Sequence, residues 1–301
     1  MSNAFILERK DLIKTILACP QCTNQLQETR EGVFCQHCNA NYPNKDGQID
    51  LRLKKNKKVS YSFILTPSFS SDPKIFHILP PNPYPNDIRI KLEGIPRELT
   101  SYVPKAQLKK NVMLDLGCGK EVHKEFFTNS GFRYIGLDYN AKEATLLGDA
   151  HALPFKDNSF DFIFSRAVIE HLQYPFIAMN EAYRVLKSKS KFVGTAAFLE
   201  PFHCNSFCHH THLGLFNCLE NAGFQVQHIA PNPYWNVLTA QARMGLFPKM
   251  PPTLQKIIIA PLQSTHRMWW KIGKRFNPEA DELKRLLWTA GSLMFVAQKV
   301  S

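Results

Sequence analysis

The chain has 301 residues, 44% hydrophobic, 21% charged and 12% aromatic, with a formal net charge of +12. This composition excludes a disordered tail, a collagen and a coiled coil, and it suffices for one large domain plus a small one. No apolar run approaches the roughly 20 residues of a membrane-spanning helix, and the eight cysteines are not spread like a disulfide framework, so a soluble protein of the reducing cytoplasm is expected.

The basicity is unevenly distributed. Residues 111–230 hold ten Lys/Arg against twelve Asp/Glu, whereas residues 231–301 hold ten against three and residues 1–58 ten against six. The flanks therefore suit a large anionic partner, RNA or a membrane surface, with a plain solvated basic surface as the alternative.

Residues 1–51 read as a separate module. Cys19-Pro-Gln-Cys22 and Cys35-Gln-His-Cys38 stand twelve residues apart. Each pair forms a tight knuckle that aims two thiolates at one point, and two knuckles complete a tetrahedral site for structural Zn2+. About fifty residues bury too little apolar surface to fold unaided, so a metal staple is physically needed. Residues 52–108 begin with Arg52, Lys54, Lys55, Lys57 and Lys58 and are then dense in proline. Such a stretch rejects long helices and central strands, and it reads as a linker or lid over the next domain.

From residue 109 to 301 the pattern alternates. Strands are expected at Val112–Leu116, Arg133–Asp138, Ala144–Asp149, Phe160–Ser165, Lys191–Ala197, Phe224–Ile229 and Leu293–Gln298, with helices at 120–129, 174–186 and 213–222. The expected fold is α/β: a Rossmann-like, seven-stranded, mainly parallel sheet with a C-terminal helical insertion at 231–290. Only ten residues separate Asp138 from Asp149, too few for a crossover helix, so that helix is expected to shrink to a turn.

The glycine bend Asp115-Leu-Gly-Cys-Gly119 ends the first of these strands, where backbone must approach a ligand closely. Asp138, nineteen residues beyond Gly119, lies at the next strand end, where a carboxylate can accept both hydroxyls of a ribose. That pair alone does not separate a dinucleotide from S-adenosylmethionine.

Longer motifs follow in order: Gly148-Asp-Ala-His-Ala-Leu-Pro-Phe155, Asp157-Asn-Ser-Phe-Asp-Phe-Ile-Phe-Ser165, Val168-Ile-Glu-His-Leu172, Ala182-Tyr-Arg-Val-Leu-Lys187 and Asn221-Ala-Gly-Phe224. Together they resemble the class I S-adenosylmethionine-dependent methyltransferases of the type 11-like branch. Likewise Leu17–Cys22 and Asn41–Asp50 resemble the zinc ribbon of the Trm112 type, which implies a structural zinc and a supporting role beside a methyltransferase.

The first resemblance implies that Gly117, Cys118 and Gly119 line the methionine side of the cofactor, with Asp115 ordering the loop. It places Asp138 and Tyr139 at the ribose, Asp149 and Ala150 at the adenine, and Ser165 near the methionine end. The usual third glycine of the bend is here Glu121 or Lys120, and the usual Lys-Pro-Gly-Gly turn is Lys187-Ser-Lys-Ser190. Asn232-Pro-Tyr234 imitates the box of amino-group methyltransferases but follows the wrong strand.

Methyl transfer from a sulfonium needs alignment more than a universal catalytic residue. Candidates for orienting or deprotonating an acceptor are His203 and His209, in the segment 200–212 that follows the fifth strand. From Ala240 to Phe276 there are seven basic residues and no acid, interleaved with Phe247, Ile257, Ile258, Ile259, Trp269 and Trp270. That mixture suits a membrane interface, a nucleic-acid backbone, or a helical cap whose aromatics are buried. The expected function is methyl transfer to a small-molecule or lipid-linked acceptor. An RNA (rRNA or tRNA) methyltransferase and a non-catalytic zinc-ribbon scaffold stand as alternatives.

Overall fold

The computed structural model describes residues 11, 14–63, 95–108, 110–277 and 282–300. Most of the expected proline-rich stretch, residues 64–94, lies outside the described residues. Among the described residues eleven strands are present: β1 Gln27–Glu28, β2 Gly32–Cys35, β3 Ala40–Lys45, β4 Gln48–Asp50, β5 Val112–Leu116, β6 Arg133–Asp138, β7 Leu146–Leu147, β8 Phe160–Arg166, β9 Leu186–Ala197, β10 Phe224–Pro231 and β11 Ser292–Lys299.

All eleven form one sheet in the order β1-β2-β3-β4-β7-β6-β5-β8-β9-β11-β10. The expectation of a seven-stranded, mainly parallel sheet is therefore corrected: the sheet is larger and mixed. The pairs from β4 to β9 are parallel, whereas β1 to β4 meander antiparallel and β11 runs antiparallel between β9 and β10. The additional four strands come from the cysteine module. Ile49 and Asp50 of β4 pair with Leu146 and Leu147 of β7, and the Leu51 amide continues the ladder to the Leu147 carbonyl at 2.8 Å.

The segment between β6 and β7 is a turn without a helix, as its length required, and β7 itself has only two residues. Gln48 fastens this turn from the neighbouring module: its amide nitrogen donates to the Ala144 carbonyl at 2.6 Å and to the Ala141 carbonyl at 3.1 Å. A bridge between Leu17 and Phe155 and a bond from the Ala18 amide to the Pro154 carbonyl add a second seam.

Helices cover both sheet faces, which is why the central strands read as nearly continuous apolar runs. Met113, Phe162, Phe164, Phe127 and Val296 pack on one face. Leu114, Leu116, Ile163, Phe192 and Phe295 pack on the other, in one cluster with Leu17, Val33, Tyr42, Ile49 and Leu51 of the cysteine module. Proline opens the helix Pro175–Val185, where its missing N–H costs nothing. Thr211 caps the helix His212–Asn221 by accepting from the Gly214 amide at 3.1 Å.

Between β10 and β11 lie the helices Val237–Ala240, Pro252–Gly273 and Glu282–Trp288, with a π-helix at Gln241–Leu246. On Pro252–Gly273 only Gln255 and Ile259 are buried. Ile257, Leu262, Met268, Trp269 and Ile272 are exposed, as is Phe276 just beyond. A cap that buries its aromatics is thus not what the described residues form.

Because Ile49 is buried in the core shared by the module and the large sheet, the two should unfold together. Ile49→Ala is expected to lower the unfolding free energy by about 2–4 kcal/mol in a single urea transition followed by circular dichroism, with both parts melting at one reduced midpoint.

Candidate active site and metal centre

At the start of the chain, the four thiols of Cys19, Cys22, Cys35 and Cys38 gather within 4.8 Å of one another. Cys19 and Cys38 are 3.5 Å apart, as are Cys22 and Cys35. The edge of a tetrahedron of Zn–S bonds is about 3.8 Å, so the donor set fits a tetrahedral thiolate metal. All four are free thiols. Left-handed backbone at Thr23 and Asn39 turns each knuckle, and the Tyr42 hydroxyl lies 3.2 Å from Cys19 Sγ.

A cavity of about 1240 Å³ opens at the carboxyl ends of β5, β6 and β8, where open α/β sheets present their ligands. Gly117, Asp138, Tyr139, Asp149 and Ala150 line it. Gly117 adopts φ +74, and a Cβ there would come within 2.2 Å of Val168 Cγ2. Gly119 adopts φ +53 and its amide donates to Asp138 Oδ2 at 3.0 Å. The other carboxylate oxygen, Oδ1, accepts from the Asn140 and Ala141 amides, each at 2.9 Å. The bend and the acid are thereby locked together, while Oδ2 with one protein donor can still accept from a ligand hydroxyl.

Asp149 is oriented by His151. The His151 amide and Nδ1 both meet Asp149 Oδ1, at 2.9 and 2.7 Å. The Tyr174 amide donates to His151 Nε2 at 3.2 Å, so the ring carries its proton on Nδ1 and donates it to the acid. Burial opposes ionisation of Asp149, but the two bonds from His151 prevail and hold the carboxyl below its usual range. The i, i+2 spacing of Asp149 and His151 was the available sequence signal for this pair.

Of the residues expected at the cofactor, Asp115, Cys118, Gly119 and Ser165 are not among those that line the cavity, and Cys118 is buried. Asp115 is buried and accepts from the Tyr134 hydroxyl at 2.7 Å. Ser165 is fully buried and donates to the Leu116 carbonyl at 3.0 Å, while Ala167 and Val168 line the cavity after β8. Glu121 keeps the left-handed conformation, φ +54, where a glycine was expected. Its Oε1 accepts from the Thr145 amide at 2.7 Å and the Thr145 hydroxyl at 2.6 Å, and its Oε2 from Lys124 at 2.7 Å. The side chain therefore straps the bend to the turn before β7. Gly136 makes room for it, since a Cβ there would be 2.5 Å from Glu121 Oε1.

Leu53, Lys57 and Val59, just past β4 in the segment read from the sequence as a linker or lid, supply a further part of the cavity wall. Arg52 stacks 5.6 Å over the Tyr139 ring and is held by Asp50 at 2.9 Å. On the opposite side the segment Cys204–Phe207 and His171 complete the wall. His203 Nε2 lies 4.0 Å from Glu170 and 3.9 Å from Glu200. His209 rests 6.0 Å from His203 between ring centres, with Nδ1 on the Phe198 carbonyl at 3.0 Å. Burial, with the nearby Glu200 charge adding, pushes the Glu170 carboxyl up to about 7. A smaller cavity of about 250 Å³ lies in the insertion among Asn232, Leu262 and Arg285, just past the end of β10.

Residues 114–194 match the family described as a methyltransferase domain. Among curated relatives, the chain is 32% identical over 124 residues to an uncharacterized protein of Methanocaldococcus jannaschii, covering 38% of this chain and 55% of that protein. It is 30% identical over 139 residues to a probable S-adenosylmethionine-dependent methyltransferase of Mycolicibacterium smegmatis, covering 38% of this chain and 52% of that protein. The chain thus spans about half the length of these relatives. A solved S-adenosylmethionine-dependent methyltransferase from Archaeoglobus fulgidus superposes with a TM-score of 0.42 at 20% identity, covering 63% of this chain and 86% of that one, a likeness too loose to say more.

Burial of Asp115 raises its carboxyl to about 7, with the Tyr134 hydrogen bond opposing the shift. Unfolded, the group titrates near 4, so between about pH 4 and 7 the folded state binds more protons and its stability falls as pH rises. Asp115→Asn removes this titration. Urea midpoints of the wild type measured from pH 4.5 to 7.5 are expected to decline relative to those of Asp115→Asn.

Proposed function

We propose that the chain is an S-adenosylmethionine-dependent methyltransferase in which residues 109–301 hold the cofactor. In this reading residues 1–51 are a Trm112-like ribbon with structural Zn2+ on Cys19, Cys22, Cys35 and Cys38. Residues 52–108 are a linker or lid, and residues 231–290 a helical insertion. The observation that carries the reading is the juxtaposition of Asp138 with the Gly119 amide, beside Gly117 and Asp149, around one cavity.

The donor set fits the cofactor. Asp138 Oδ2 would accept from the ribose, with Tyr139 beside it, and Asp149 with the Ala150 backbone would hold the adenine amine. The backbone of Gly117, Cys118 and Gly119 would border the methionine end. Asp115 and Ser165 would act from behind, each fixing a strand end through its hydrogen bond. Bound there, S-adenosylmethionine supplies an electrophilic methyl group on sulfur. The chain's own part is to align an acceptor and exclude water; His203 and His209 are not among the residues that line the cavity and would orient an acceptor only through the neighbouring Cys204–Phe207 wall.

A small or lipid-linked acceptor is favoured over RNA by two features. The exposed apolar side chains of Pro252–Gly273 share a helix with Lys256, Arg267 and Lys271 and no acid, a mixture suited to an anionic membrane surface. Meanwhile Lys54 is paired with Asp50 at 3.1 Å and Lys57 donates to the Pro20 carbonyl at 2.7 Å, which removes half of the lysine run from a free phosphate-binding face.

Titration calorimetry with S-adenosylhomocysteine tests the core of this reading. One site per chain is expected, weakened at least about tenfold, or about 1.4 kcal/mol, by Asp138→Ala. Absence of heat at millimolar ligand would leave the scaffold reading. Sedimentation with phosphatidylglycerol vesicles tests the surface: the wild type should pellet and the Ile257→Glu/Trp269→Glu double variant should stay in solution, whereas RNA binding that falls steeply with salt would favour the other acceptor class.

A further inference from the structure

Glu170 is fully buried, yet neither of its carboxylate oxygens has a hydrogen-bond partner among the described residues. Buried carboxylates are ordinarily paired, hydrogen-bonded or bound to a metal, because desolvation without compensation costs several kcal/mol. The same neighbourhood holds more orphaned atoms: His171 Nδ1, Ser206 Oγ and His209 Nε2 are buried and unpartnered. Such a concentration marks a place where polar groups lack partners, and part of it can be satisfied by one shared ion.

The geometry specifies what that ion is. Glu170, His171 and His203 each offer a ligand atom, and the three atoms lie within 4.8 Å of one another. His203 Nδ1 sits 3.1 Å from the Pro201 carbonyl, so that nitrogen carries the proton and Nε2 keeps a lone pair turned toward Glu170 and Glu200. His209 is set in the same way by the Phe198 carbonyl. An imidazole held through its remote N–H by a carbonyl is the usual support of a metal-ligating histidine.

The backbone builds the site. Left-handed turns at Cys204 and Asn205 fold the segment back on itself. The Phe207 and Cys208 amides then donate to the Glu170 carbonyl at 2.7 and 3.2 Å, tying the loop to the 3-10 turn Ile169–His171.

We propose that Glu170, His171 and His203 form a second metal site, distinct from the four cysteines, for a divalent first-row transition metal. Two imidazoles and one carboxylate select such ions over magnesium or calcium, which prefer all-oxygen shells. The set leaves coordination positions open. Closing the ligands to bonding distance requires movements below about 1 Å each. His171 also lines the large cavity, so an ion here borders it and can take an acceptor oxygen as a further ligand. That last role rests on the methyltransferase reading, whereas metal binding itself does not.

The test counts metal in the full-length protein without cofactor. Wild type, His203→Gln and Glu170→Gln are dialysed against ZnCl2, desalted and analysed by inductively coupled plasma mass spectrometry. The wild type should retain one zinc per chain more than either variant, the cysteine cluster being common to all three. His203 is partly exposed, so His203→Gln should fold, with circular dichroism as the check, even where Glu170→Gln does not. An equal zinc count in wild type and His203→Gln would overturn the proposal. The cofactor titration with S-adenosylhomocysteine is read separately, so either idea can fail alone.

Discussion

The parallel pairing of β4 with β7 is the contact on which the architecture depends. β7 has two residues and by itself would leave the sheet ending in a minimal, open edge. Unpaired edges invite association with other chains, and here the edge is occupied by Gln48–Asp50. The pairing also merges the cysteine module into the main core through Leu17, Ile49 and Leu51. It delivers Leu53, Lys57 and Val59 to the cavity wall, and Arg52 to the face of Tyr139. The cysteine cluster, the sheet edge and the cavity shape are consequently linked through a few backbone hydrogen bonds.

The other end of the arrangement is the lock between Asp138 and the glycine bend. Three backbone amides, of Gly119, Asn140 and Ala141, converge on one carboxylate. Beneath them Glu121 straps the bend to Thr145. His151 performs a similar office for Asp149, with its ring proton directed by the Tyr174 amide. The cavity's acids are thus positioned before any ligand arrives.

Much of this was legible in the sequence because it is written in local chemistry. The apolar runs at Val112–Leu116 and Arg133–Asp138 match β5 and β6 residue for residue, since strands buried on both faces announce themselves by continuous hydrophobicity. The paired cysteines likewise converge as their spacing requires. What was not legible is non-local. Nothing in Gln48–Asp50 by itself says that it joins a distant strand, so the sheet's true size was missed. Asp115 and Ser165 alternate to positions off the cavity through strand geometry that one residue of register decides. Glu121 and Lys189 both adopt left-handed backbone, φ +54 and φ +64, in the two turns where the resembled family carries glycines, because surrounding contacts override the local preference. The exposed face of Pro252–Gly273 was ambiguous for a related reason: an amphipathic pattern does not say whether its apolar side meets protein.

The replacement of a glycine by Glu121 has a thermodynamic corollary. A flexible bend must surrender motion whenever something settles against it, and that loss is subtracted from affinity. Here the strap of Glu121 to Thr145 and Lys124 has already taken that motion away during folding. The entropic debt is thus charged to the folding equilibrium, and a guest arriving at Gly117–Gly119 meets a surface with little left to freeze.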